Sequence, residues 1–338
     1  MAGGVRPLVS VLLPVWNAAA TLPACLRSLQ RQCETRWECI LVDDGSSDDS
    51  LACARRFAAR EPRLVVLSTP HRGLVAALQT GLAHCRGRFV ARMDADDLMH
   101  RERLALQSQM LLAHPELAAV GCHVRLFPRR QLRRGLRAYE HWLNSIDSPQ
   151  RLRQEAFVEC PLAHPTLLLR RETVLAFGYR DCGWPEDYDL LLRLLTHGLA
   201  VGVVPRRLLL WRDAPQRLWR TSPTYALSRF TACKAAFLAS SFLAGSDAYI
   251  LWGFGETGKA LCRALRPHGK TPAYIVELHP RRLGKTIHGA PVIPPAALPQ
   301  VPRLPLVVSV AGAAARAEIR QALGQMGFVE TRDFVCAA

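Results

Sequence analysis

Short runs of continuous apolar, β-branched residues recur along this chain, each followed by an amphipathic stretch of helical period. VSVLLPV, ECILVDDGS, RLVVLST and RFVARMDADD are the first four runs. Between them lie TLPACLRSLQRQ, DDSLACARRFAARE and GLVAALQTGLAHC. An unbroken apolar run suits a strand buried on both faces, which is the situation of a parallel strand covered by helices. Strand and helix in strict alternation predict right-handed crossovers and a mostly parallel α/β sheet. In such a sheet ligands bind beyond the carboxyl ends of the strands.

Acids collect at that edge. Asp43 and Asp44 end the second run, and Asp94, Asp96 and Asp97 end the fourth. Glu186, Asp187 and Asp189 open a later helical stretch, WPEDYDLLLRLLTHG. Asp48 and Asp49 read as a helix start. The chain is otherwise basic, with 44 Lys+Arg against 28 Asp+Glu and a formal net charge of +16. Carboxylates grouped against that background suit a divalent metal, a ribose and a proton to be abstracted. Strand alternation puts Asp94 and Asp96 on one side. Hard oxygen ligands in that pair suit Mg²⁺ or Mn²⁺ bridging a diphosphate. Each cluster also has a plain structural use. Asp43 or Asp44 suits an Asx-turn before Gly45, and Asp187 suits the first turn of a helix.

From about residue 100 to 160 the pattern reads as mostly helical, and LAVGVVPRRLLLWR reads as a pair of strands. The expected domains are 1–222, a linker helix in 223–245, and a small unit in 246–338. In the last, Gly253, Gly255 and Gly258 follow a strand and open a helix, and Glu277 ends the next strand. That is the dinucleotide fingerprint, in which glycines admit a pyrophosphate to a helix N-terminus and the acid takes a ribose. An NAD-type dinucleotide is the ligand it would suit. The alternative is a Rossmann-like unit used for packing, dimerisation or acceptor docking.

No apolar window reaches the ~18 residues of a membrane span, while peripheral membrane contact and homo-oligomerisation stay open. Eleven cysteines without a CxxC pair argue against a structural zinc site and for a reducing, cytoplasmic setting. The arginine-rich stretches, RRQLRRGLR among them, fit polyanions or a solvated face.

The chain resembles family 2 glycosyltransferases of the GT-A fold. The resemblance is carried by SVLLPVWNAAATLPACLRSLQRQ, ILVDDGSSDDS, GLVAALQTGLAHCRGRFVARMDADDLMHRERL, HPTLLLRR and GWPEDYDLLLRL, in family order over about residues 8 to 215. It looks like a bacterial subgroup with an added Rossmann-like tail, and is also similar to the animal enzyme that galactosylates queuosine in tRNA.

The resemblance implies a nucleotide-diphospho-sugar transferase that inverts in a single displacement and depends on a metal. Pro14, Asn17, Asp43, Asp44, Asp94, Arg72 and Arg212 would meet the nucleotide-sugar, with Asp44 accepting from a uracil-type base. Asp96 and Asp97 would hold the metal. Asp187 would be the general base, with Glu186 orienting it or contacting the acceptor. Glu186 and Asp189 compete with Asp187 for the base role. Trp184 and His164 would lie on the acceptor side, or simply pack. A UDP-sugar is the expected donor. The acceptor would be a saccharide, a lipid-linked sugar or a tRNA.

Overall fold

The computed structural model describes residues 6–215 and 217–338. The chain divides into two compact units. The first comprises residues 1–152, 162–182 and 193–217, and the second 153–161, 183–192 and 218–338.

The first unit is built on eight strands. They are β1 (Val9–Val15), β2 (Trp37–Asp44), β3 (Leu64–Thr69), β4 (Phe89–Arg92), β5 (Leu98–Met99), β6 (Leu117–Phe127), β7 (Leu168–Arg170) and β8 (Ala200–Arg212). Their order is β3-β2-β1-β4-β7-β6-β8-β5. β1 pairs in parallel with both β2 and β4, and β2 with β3. β7 runs antiparallel to its two neighbours, β4 and β6. The expected mostly parallel sheet is therefore parallel in its first half and mixed beyond β4. Every residue of β1 and β2 is buried, the polar Ser10, Glu38, Asp43 and Asp44 along with the apolar runs. Gly81 lets the helix Leu74–His84 close onto them, since a Cβ there would meet Leu12 Cδ1 at 2.4 Å.

Two readings of the sequence give way to the structure. The stretch expected to be mostly helical contains β6, an eleven-residue strand. Its alanines and glycine carry little β signal, and its place is set by pairing along β8. LAVGVVPRRLLLWR is one strand, β8, and not a pair. Its register against β6 shifts after Val204 and again after Arg207, becoming regular from Leu209, so Pro205, Arg206 and Leu208 fall out of the β6 ladder. A proline that cannot donate to the ladder is tolerated at such a bulge.

The second unit has six strands: β9 (Ala248–Trp252), β10 (Thr271–Val276), β11 (Thr286–Ile287), β12 (Ala290–Ile293), β13 (Leu306–Val308) and β14 (Phe334–Cys336). Their order is β11-β12-β10-β9-β13-β14, all parallel except β11. Side chains of β9 alternate between two cores. Tyr249 and Leu251 pack with Ala235, Leu238, Leu261 and Leu265, while Ile250 and Trp252 pack with Ile319, Leu323 and Phe334. The helix Leu227–Ser240, read from the sequence as a linker, supplies part of the first of these cores.

Candidate active site

In the first unit the strand order reverses at β1, whose neighbours β2 and β4 lie on opposite sides. Loops leaving the carboxyl ends of β1, β2 and β4 therefore diverge and open a crevice. Pro14 is buried inside β1, in register with Val42. Asn17, beyond the strand, adopts a left-handed conformation at φ 49. Its Oδ1 accepts from the Ser47 amide at 2.8 Å, and its own amide donates to Ser46 Oγ at 3.0 Å. Asn17 thus fastens the β1 loop to the β2 loop.

The two acids ending β2 have different surroundings. Asp44 accepts from the backbone amides of Arg72 at 2.9 Å and Gly73 at 2.8 Å, and lies 2.9 Å from His71 Nδ1. Its carboxylate therefore shapes the 71–73 loop. Arg72 contributes its amide, while its side chain is exposed. Asp43 is fully buried, with Oδ2 near the Ser46 amide at 3.4 Å and no hydrogen-bond partner on Oδ1. Gly45, at φ +67, brings this turn close to the next loop, where a Cβ would meet the His71 amide nitrogen at 2.6 Å. Trp16, about half exposed, stacks on His71 with ring centroids 4.6 Å apart.

Asp94, Asp96 and Asp97 present carboxylate oxygens within 4.8 Å of one another. Asp97 is completely buried; its Oδ1 accepts from the Arg212 amide at 2.7 Å, and its Oδ2 has no hydrogen-bond partner. Arg212 Nε also donates to the Asp96 carbonyl at 2.8 Å. Asp94 is paired with buried Arg92 at 2.7 Å and with Arg217 at 3.0 Å. Arg103, buried below, donates to the Arg92 carbonyl at 2.9 Å. Burial opposes the charge on Asp94, but Arg92 and Arg217 outweigh it and hold that carboxyl below its ordinary value. Asp96 and Asp97 go the other way. Burial, followed by repulsion from Asp94, raises both despite Arg217. An orphaned, buried carboxylate oxygen within a triad of hard oxygen donors fits a divalent cation of the Mg²⁺ or Mn²⁺ type.

His164 is buried, 3.1 Å from the Tyr179 hydroxyl. The helix Glu186–Thr196 opens with three acids, all of them in the second unit. Glu186 is buried and accepts from the Tyr225 hydroxyl at 2.6 Å. Asp189 is buried and accepts from Trp184 Nε1 at 3.2 Å. Asp187 is only half-buried, and its Oδ1 accepts from the Tyr188 amide at 2.7 Å. It is the most exposed acid of the three.

The second unit has its own reversal point at β9. Gly253 turns at φ +96, and a Cβ on Gly258 would meet the Gly253 carbonyl at 2.2 Å. That glycine is required for helix-to-strand packing. Gly255 faces open space. Glu277 is engaged by Arg282 at 2.7 Å and by the Leu278 amide at 2.9 Å.

Sequence reasoning overlooked Trp16, Arg92 and Arg217. An arginine inside an apolar strand and a tryptophan just past a strand end were the available signals for the first two. Arg217 lies in a Pro- and Arg-rich stretch that carries no periodicity.

A family model described as Glycosyl transferase family 2 matches residues 10–176. The amylovoran biosynthesis glycosyltransferase AmsE of Erwinia amylovora is 33% identical over 202 residues, 59% of this chain and 73% of AmsE. S. aureus TarS in complex with UDP-GlcNAc superposes with a TM-score of 0.55 at 16% identity, over 77% of this chain and 72% of that one. The mannosyltransferase PcManGT of Pyrobaculum calidifontis, in complex with GDP-Man and Mn²⁺, gives 0.50 at 22% identity, over 79% and 74%.

Proposed function

The chain belongs to glycosyl transferase family 2, and on that premise we propose that it is an inverting, metal-dependent enzyme using a UDP-sugar. That it is a glycosyltransferase with a nucleotide-sugar donor and a GT-A fold follows from the family and the fold. The observation carrying the finer reading is the Asp94, Asp96 and Asp97 triad at the β1–β4 reversal, with its orphaned Asp97 oxygen.

A bound divalent ion would neutralise charge on the departing diphosphate. Asp96 and Asp97 would hold it, and Asp94 would meet the ribose or the metal. The nucleotide would lie across the loops that Asn17 and Asp44 organise. The resemblance gives the base contact to Asp44, but its carboxylate is taken up by the Arg72 and Gly73 amides, so the imide N–H of uracil is assigned to Asp43, whose Oδ1 has no hydrogen-bond partner. Trp16 supplies a flat face for the base. UDP-GlcNAc in the TarS structure, and GDP-Man with Mn²⁺ in the PcManGT structure, are donors of this class.

Asp187 takes the proton from an acceptor hydroxyl as that oxygen attacks the anomeric carbon. The bond from that carbon to the diphosphate oxygen breaks, and the nucleoside diphosphate leaves with the electron pair. One base on one face inverts the centre. Glu186, locked by Tyr225, positions the turn that carries Asp187. The acceptor is a sugar hydroxyl in this reading.

Thermal stabilisation by UDP, GDP and dTDP, with and without Mn²⁺, tests the donor site against Asp96→Asn. Metal-dependent stabilisation by UDP alone, lost in the variant, is the expected result. A flat response to all three would overturn the reading. Proton NMR of the first product formed would then read inversion at the anomeric carbon directly.

A further inference from the structure

The acid triad already holds a cation. The Arg217 guanidinium lies across it, with Nη2 3.0 Å from Asp94 Oδ2, Nη1 3.7 Å from Asp97 Oδ1 and Nε 3.9 Å from Asp96 Oδ2. Its side chain is 11% exposed, so this is an enclosed placement and not a surface ion pair. Arg217 also donates to the Arg212 carbonyl and lies over the Trp211 ring at 5.1 Å.

A metal bound by these carboxylates would sit about 2.1 Å from each donor oxygen. The guanidinium fills that same space, and the two cannot share it. We propose that Arg217 is a plug in the donor site, which refuses free divalent metal and withdraws only when the metal arrives with a nucleoside diphosphate.

Charge balance explains the difference between the two arrivals. The three carboxylates meet Arg217 across the triad and Arg92 against Asp94, with Arg212 held at the Asp96 carbonyl and Arg103 bonded to the Arg92 carbonyl. The site is therefore already compensated. A metal ion alone would have to expel a well-placed guanidinium and would leave the site over-positive. A metal with a diphosphate brings its own negative charge. The diphosphate also offers the displaced guanidinium a new forked partner. Binding would then be ordered or concerted, with the plug guarding the buried acids until a donor is present.

The inference rests on the metal-site reading above, and one experiment separates the two. Free Mn²⁺ is followed by electron paramagnetic resonance during titration of the full chain, with and without UDP. Wild type, Arg217→Gln and Asp96→Asn are compared, with circular dichroism to confirm folding. Wild type should bind Mn²⁺ weakly alone and tightly with UDP. Arg217→Gln should bind Mn²⁺ alone about tenfold more tightly or better, the scale of one charge-assisted hydrogen bond. Should that variant not fold, Arg217→Lys serves. Its ammonium cannot bridge all three carboxylates, so it too should bind Mn²⁺ alone several-fold more tightly than wild type.

Equal Mn²⁺ affinity in wild type and the Arg217 variants, with UDP-dependent binding lost only in Asp96→Asn, would overturn the plug and leave the metal site standing. No Mn²⁺ binding in any form, with or without UDP, would overturn both.

Discussion

Tyr225 donates its hydroxyl hydrogen to Oε2 of Glu186 at 2.6 Å, and that bond distinguishes the surroundings of two neighbouring acids. Glu186 is buried and committed, while Asp187 beside it is half-buried. Asp187→Asn should therefore lower transfer by ~10³-fold, within the range typical of a lost general base. It should leave UDP-dependent thermal stabilisation intact. Glu186→Gln and Tyr225→Phe should cost much less, because each disturbs only the turn. A larger loss in Glu186→Gln than in Asp187→Asn would reverse the assignment.

Trp16 stacks on His71, and its exposed face is offered to whatever lies across the β1 and β2 loops. Stacking of a base on an aromatic ring is worth about 1–3 kcal/mol, or roughly 5- to 150-fold in affinity. Trp16→Ala should raise KM for the donor by an amount in that range with little change in kcat. The melting temperature without nucleotide should barely move, since the ring is about half exposed. Unchanged donor KM would remove Trp16 from the nucleotide site.

The arrangement around these residues was unevenly legible in the sequence. β1, β2, β3 and β4 announce themselves because each carries an apolar, β-branched run, and β1, β2 and β4 are buried along their whole length. β6 does not, because LAAVGCHV mixes small residues whose strand conformation is fixed by pairing along β8. The clustered aspartates were visible for an elementary reason: carboxylates at strand ends are conspicuous in a basic chain. The arginines that face them were less so. Arg92 stands out only as a charge inside an apolar strand, and Arg217 comes from a stretch with no pattern. Only the closed fold brings their guanidiniums to Asp94.

Gly255 and Gly258 read alike in the fingerprint but differ in the structure. A methyl group on Gly258 would run into the Gly253 carbonyl at 2.2 Å, whereas one on Gly255 meets nothing within 4 Å. Gly258→Ala should destabilise the chain by about 1–3 kcal/mol, the usual cost of overpacking. Gly255→Ala should stay within about 0.5 kcal/mol of wild type. Chemical denaturation measures both. The pair also tests the tail for ligands. Gly255→Ala would block a pyrophosphate while leaving the fold intact, so NAD(H) binding that disappears in this variant would make the second unit a true dinucleotide site. No NAD(H) binding to the wild type would leave it a packing unit, and equal binding to both proteins would place the ligand away from Gly255.

Lys234 gives the second unit a pH dependence of definite sign. Its amine donates to the carbonyls of Val158 at 3.0 Å and Ala337 at 2.6 Å. Two acceptors are what a neutral amine can satisfy, and burial pushes its pKa down to about 8 from the ordinary 10.5. Glu159 and the Cys233 thiol pull the value back up, and Arg316 adds to the depression. Between those two values the unfolded chain binds this proton and the folded chain does not. Stability contributed at this site therefore rises with pH from about 8 to 10.5. Buried thiols work against it. Burial raises Cys122 to about 11 and Cys336 to about 12, so both favour the folded state less as alkali deprotonates the unfolded chain. Urea midpoints of wild type and Lys234→Met across that window isolate the lysine, because the thiols contribute equally to both. The wild type should gain on the variant as pH rises. A constant difference would mean that the amine stays charged in the fold.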